Sequence, residues 1–253
     1  MINDYITVGL SAIMGLSVFI SMPIIFRKGV SMKRMLFYNA FAIGILVFLL
    51  MDIYGDVAAI FGSNGITDPL ELIFIAGFAA AFLFFIIPKQ NRDPEASPKR
   101  TSVVAATGIG FQNLTEGLVF GSAGAAGLVT IYALSIIGFS LQNVTEGFPI
   151  ASPLIGSREK VERRFIAGAF LLGGVPSIVG TLIGLVYFSN AFIVFFDALA
   201  SAAILYVVLV LFHVNLNRSR TDGGRREEVV PLTYLGILVG FAAAFVVNYL
   251  IVL

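Results

Sequence analysis

The chain has 253 residues, of which 58% are hydrophobic and 12% charged, with a net charge of +1 and a mean hydropathy of +0.96. Soluble domains carry about 25% charged residues, so this composition cannot cover a water-exposed surface and excludes a soluble globule. Cys is absent and His occurs once, as His213. That excludes disulfides, thiolate nucleophiles and Cys/His zinc cages; the net charge by itself implies no partner, and nucleic acid is not expected as one.

Apolar runs between charged or turn-rich breaks predict an all-α polytopic membrane protein, a single transmembrane domain over 1–253. Its eight helices fall at about 5–26, 35–61, 70–87, 101–123, 127–153, 165–188, 191–214 and 230–252. Each meets the length of roughly 17–25 residues that a bilayer requires. The first run lacks a basic leader, carries Asp4 and precedes a basic loop, so it reads as a span and not as a cleaved signal. The long loops at about 88–100 and 215–229 read as connectors.

All sixteen Lys and Arg fall in the odd-numbered loops. Arg27, Lys28, Lys33 and Arg34 lie in the first, and Lys89, Arg92, Lys99 and Arg100 in the third. Arg158, Lys160, Arg163 and Arg164 lie in the fifth, and Arg218, Arg220, Arg225 and Arg226 in the seventh. By the positive-inside rule these loops are cytoplasmic and both termini extracytoplasmic. The expected location is the plasma membrane.

Polar side chains inside spans are costly and therefore informative. The fourth span contains Gln112-Asn113-Leu114-Thr115-Glu116-Gly117, and the fifth contains Gln142-Asn143-Val144-Thr145-Glu146-Gly147. In each motif Gln and Glu are i and i+4 and share a helix face. At 1.5 Å per residue both motifs lie about 18–24 Å from the basic flanks, near mid-membrane. Because the two helices are antiparallel, Gln112 levels with Glu146 and Glu116 with Gln142, predicting a pseudo-two-fold cluster of two carboxylates and four amides. Two buried carboxylates need a cation or a proton, and amide oxygens complete a shell of hard ligands. Hydrogen-bonded glue between helices is the alternative; duplication of the set, with two acids, favours a cation site. Pro149 and Pro153 are expected to loosen the fifth helix and Pro176 the sixth, as around the midplane sites of secondary transporters.

These segments resemble the ZIP (Zrt/Irt-like) metal transporters, whose fourth and fifth helices carry H-N-x-P-E-G motifs. The run Phe148-Pro149-Ile150-Ala151-x-Pro153-Leu154 and the stretch from Ala198 to Val207 are similar to the family's fifth and seventh helices. The resemblance covers essentially the whole chain. It implies a 3+2+3 arrangement with inverted repeats and movement of a divalent metal ion into the cytoplasm. The implied motion is sliding of a unit made of the first, fourth, fifth and sixth helices. A homodimer is compatible with it. Gln112 and Gln142 stand where the family has His, and Thr115 and Thr145 where it has Pro. The family's sixth-helix Glu is missing from Gly173-Gly174-Val175-Pro176-Ser177, with Ser177 as the expected replacement. The family's acid or His late in the seventh helix corresponds to Leu211, and Asp52 is the candidate for its second-helix counterpart. Without imidazole the site offers oxygen donors, which suit Mn²⁺, Mg²⁺, Fe²⁺ or Ca²⁺ over Zn²⁺.

The expected metal ligands are thus Gln112, Asn113, Glu116, Gln142, Asn143 and Glu146, with Ser177 as a further donor; the transported divalent cation is the one ligand expected. Asp52 and Asp56, i and i+4 near the outer end of the second helix, either attract cations at an entrance or are simply solvated. Asp197 is expected to complement the macrodipole at the start of the seventh helix, and Asp68 and Glu71 that of the third. His213 is expected to be interfacial. Gly180-x-x-x-Gly184 and Gly236-x-x-x-Gly240 are expected to serve tight crossings within one bundle. No nucleophile or His accompanies the acids, so an intramembrane enzyme is disfavoured. A ZIP-fold scaffold that has lost transport, and a proton-coupled carrier of another solute, remain as alternatives. No phosphate-binding loop is present, so transport would run without ATP.

Overall fold

A computed structural model describes residues 3–27, 29–61, 68–86, 97–155, 157, 161–221 and 226–252. Among the basic residues that define the expected orientation, Lys28, Lys89, Arg92, Arg158, Lys160 and Arg225 lie outside the described residues. The chain is an α-helical membrane protein. Among the described residues there is no strand, and six helical segments are long and apolar enough to cross a bilayer: Asp4–Phe26, Met32–Ile60, Pro69–Ile86, Arg163–Gly184, Asn190–Asn217 and Val229–Tyr249. Large apolar side chains face outward around the bundle, among them Phe84, Val186 and Leu238, as a lipid environment requires.

The first span is composite. Asn3 caps α1 (Asp4–Leu16) by accepting from the Tyr5 and Ile6 amides, and the chain then tightens into a 3₁₀ helix over Ser17–Phe26. Ten residues is long for that geometry. Small hydroxyl side chains line it: the Ser17 hydroxyl lies 2.6 Å from Met14 O and 2.8 Å from Ser140 O, so its one hydrogen can serve either span. Ser31 caps α2 (Met32–Ile60), and Asp68 caps α3 (Pro69–Ile86) by accepting from Leu70 N at 2.8 Å, which bears out its expected helix-start role.

Next come α4 (Pro98–Ala126) and α5 (Val129–Ala151), which form a tight helical hairpin. Gly127 adopts φ +71°, a left-handed conformation that only glycine takes without cost, and Leu128 N returns to Ala123 O at 3.0 Å. This abrupt stop leaves almost no connecting chain, so the two motif helices run antiparallel in direct contact. The expected loosening of α5 at Pro149 is not observed: the helix continues through it to Ala151, and only Ser152–Leu154, around Pro153, tightens to 3₁₀. Proline removes one hydrogen bond, and neighbouring helices hold the remainder in place. Pro176, by contrast, does divide the sixth span, into α6 (Arg163–Gly174) and α7 (Pro176–Gly184).

The last two helices are α8 (Asn190–Thr221) and α9 (Arg226–Val252). Helix α4 sits at the centre, against α5, α6, α7 and α8, while α5 touches the first span, α2 and α9; α2 pairs chiefly with α9, and α3 with α8. The apolar core joins Ile43, Leu46 and Leu49 of α2 to Ile109 of α4, Phe170 of α6 and Ile204 of α8. Both glycine pairs act inside the bundle. Gly180 and Gly184 lie against the α4 backbone at Leu114 and Leu118, leaving no space for a Cβ, and Gly240 lies likewise on Phe41 of α2.

Candidate functional site

The two Q-N-x-T-E-G motifs meet. Gln112 and Gln142 both donate to Glu116 Oε1, at 3.0 and 2.9 Å, so one carboxylate oxygen is held from α4 and from α5 together. Asn113 is the hub: its amide nitrogen lies 2.6 Å from Asn143 Oδ1, 2.9 Å from Gly173 O and 3.5 Å from Glu146 Oε2. With two hydrogens to give, it serves the first two contacts well and the third weakly. Asn143 in turn donates to Phe139 O at 2.9 Å. All six expected ligand residues are buried, Glu146 completely. The level pairing of Glu116 with Gln142 is as the antiparallel register requires.

Close packing brings these groups together. Gly117, directly after Glu116, abuts the Ser177 backbone at the start of α7, and Gly147, directly after Glu146, accepts Ser21 of the 3₁₀ segment. A side chain at either position would force the helices apart. The carbonyl of Gly173, near the end of α6, reaches Asn113 beside the break before Pro176.

Four oxygens in this cluster are buried with no hydrogen-bond partner: Gln112 Oε1, Asn113 Oδ1, Glu116 Oε2 and Glu146 Oε1. Buried acceptors are ordinarily satisfied, and each orphan costs on the order of 1–3 kcal/mol. All four lone-pair groups sit on the paired motifs, two of them on carboxylates and two on side-chain amides. Such an arrangement can accept a positive charge. Among the described residues no group of three or more His, Cys, Asp and Glu side chains is assembled anywhere, so any ion held here would have to combine the two acids with neutral amide oxygens.

No protein-family model matches the chain, and no curated protein matches it in sequence. The functional reading therefore rests on the geometry of this cluster.

Other expected residues divide clearly. Ser177 is buried and its hydroxyl is also unpartnered, but it lies in the seam where α7 meets Gly15 of α1, and no contact with the motif side chains is described. Asp52 is half-buried and accepts from Asn248 Nδ2 of α9 at 2.6 Å, whereas Asp56, one turn on, is exposed. His213 is exposed and bonded to Asn217 at 2.7 Å.

Asp197 corrects the sequence reading. Helix α8 begins at Asn190, about two turns earlier, so Asp197 caps nothing. It is 3% exposed and accepts from the Thr115 hydroxyl at 2.8 Å, one residue before Glu116. The helix start was placed correctly near residue 191, but Asp197 lies too far inside it to complement the macrodipole; the signal that could have found it is an acid placed well inside an apolar span.

Proposed function

We propose that this chain carries a divalent metal cation across the membrane toward the cytoplasm, through a mid-membrane site built from Glu116 and Glu146 with the amide oxygens of Gln112, Asn113, Gln142 and Asn143. The observation that supports it is the set of four buried, unpartnered oxygens on the two motifs, two of them carboxylate. Hydrogen-bonded glue would satisfy its own acceptors; a cation site keeps them free. Oxygen donors without imidazole or thiolate favour Mn²⁺, Mg²⁺, Fe²⁺ or Ca²⁺ over Zn²⁺.

The proposal includes a ZIP-like arrangement of eight spans in a 3+2+3 order, both termini outside, in the plasma membrane. In this arrangement α4 and α5 form the central pair, although they are not among the six most apolar segments. Their polar content is what a buried transport site demands. In this reading Asp52 and Asp56 stand at the outer entrance, where negative charge would concentrate cations; the other reading of the pair is solvation at the helix end.

Purified protein in proteoliposomes tests the reading with a panel of Mn²⁺, Mg²⁺, Fe²⁺, Ca²⁺, Co²⁺, Cd²⁺ and Zn²⁺. Flux of oxygen-preferring ions, lost in both Glu116→Ala and Glu146→Ala, is the expected result. No flux of any ion from folded wild-type protein would overturn transport and leave the scaffold and other-solute readings.

A further inference from the structure

The two motifs are alike in sequence but differ in how they are anchored. Thr115 and Thr145 each approach the carbonyl three residues back, Gln112 O and Gln142 O, at 2.7 Å. The Thr115 hydroxyl, with one hydrogen to give, also has Asp197 Oδ1 of α8 at 2.8 Å as an acceptor in place of its own backbone. Among the described residues the Thr145 hydroxyl bonds to nothing outside its own helix. Thr115 is buried, and Thr145 only half-buried.

We infer that Asp197 is a positioning residue for the cation site: through Thr115 it fixes the Gln112–Glu116 turn of α4 against α8, while the matching turn of α5 has no such anchor. This rests on the cation-site reading. Thr115 lies between Gln112 and Glu116 on the same turn, and both of those residues present an unpartnered oxygen. A hydroxyl held by an acid on another helix pins that turn of α4 to α8, whereas a Thr bonded only to its own backbone bends its helix without tying it to a neighbour. Asp197 is itself held: it sits in the interior of α8, whose neighbouring Val194, Ala198 and Ala200 are buried. The anchor therefore ties the first motif to rigid structure, and ligand geometry fixed by a supporting shell is what affinity depends on.

The test is Mn²⁺ binding by the purified full-length protein, with thermal unfolding recorded in parallel. Thr115→Val and Asp197→Ala are each expected to weaken Mn²⁺ binding by about tenfold, the range at which loss of a ligand-supporting partner is felt. Because they break one contact, the double variant is expected to lose no more than either alone. Asp197→Asn keeps an acceptor oxygen for Thr115 and should stay within about threefold of wild type, and Thr145→Val within about twofold, on the same grounds. Wild-type Mn²⁺ affinity in both Thr115→Val and Asp197→Ala overturns the inference. So does a double variant whose losses multiply, or a Thr145→Val loss equal to that of Thr115→Val. If Asp197→Ala does not fold, Thr115→Val against Thr145→Val decides alone. Glu116→Gln separates the two levels: Mn²⁺ binding unchanged there would overturn the cation site itself.

Discussion

Gln142 of α5 donates to the same Glu116 oxygen that Gln112 of α4 already holds, at 2.9 and 3.0 Å. Two amides from antiparallel helices thus converge on one carboxylate atom, and the other oxygen, Glu116 Oε2, is left buried without a partner. The free oxygen keeps its lone pairs for a ligand, whereas those of its twin are taken up by the two amide donors.

In the proposed cation site the glutamines would set the metal preference. Replacing Gln112 and Gln142 together by His supplies imidazole nitrogen, which suits Zn²⁺ more than Mn²⁺ or Mg²⁺. Competition binding should show Zn²⁺ gaining about tenfold or more over Mn²⁺, since affinity follows ligand type. An unchanged ratio would mean that these side chains do not ligate.

Asn113 carries structural weight whether or not it ligates an ion. Asn113→Leu strands Asn143 Oδ1 and Gly173 O, both now satisfied by it at 2.6 and 2.9 Å. The expected loss is about 1–3 kcal/mol for each acceptor, read from denaturant unfolding in detergent. The helices would remain, so circular dichroism should change little.

The α4–α7 seam depends on missing side chains. Gly180 lies on the Leu114 carbonyl and Gly117 on that of Ser177, so Gly180→Ala should cost about 1–3 kcal/mol through overpacking. Gly168 has nothing within 4 Å of a built Cβ, and Gly168→Ala should leave unfolding unchanged or slightly raised.

Orientation can be read chemically, because the chain has no Cys. Single substitutions Asn3→Cys and Ser189→Cys should react with a membrane-impermeant thiol reagent from outside intact cells. Ser31→Cys and Ser157→Cys should react only after permeabilisation. The reverse pattern would overturn the proposed topology and the proposed direction of transport.

Much of this was legible in the sequence because lipid makes polar residues conspicuous. The duplicated motif stands out against apolar spans, and antiparallel register alone levels Glu116 with Gln142, as observed. Helix α8 starts within one residue of its expected position, and α6 breaks before Pro176 as its ring requires. The failures are tertiary. Pro149 leaves α5 intact because neighbours on several sides hold it, and nothing local marks Ser17–Phe26 for 3₁₀ geometry. Asp197 was misplaced because its role depends on Thr115, 82 residues away in the chain. Ser177 was expected near the site by position along the sixth span, and its backbone does abut Gly117 beside Glu116, with the hydroxyl in the seam with Gly15.

The central claim is that Glu116 and Glu146 share one divalent ion. Anomalous scattering from crystals of the wild-type protein grown with Mn²⁺ tests it most directly. A single Mn²⁺ peak bonded to both carboxylates and to motif amide oxygens, absent from Glu116→Gln, is the predicted result. Saturating Mn²⁺ that leaves no peak between Glu116 and Glu146 would contradict the account.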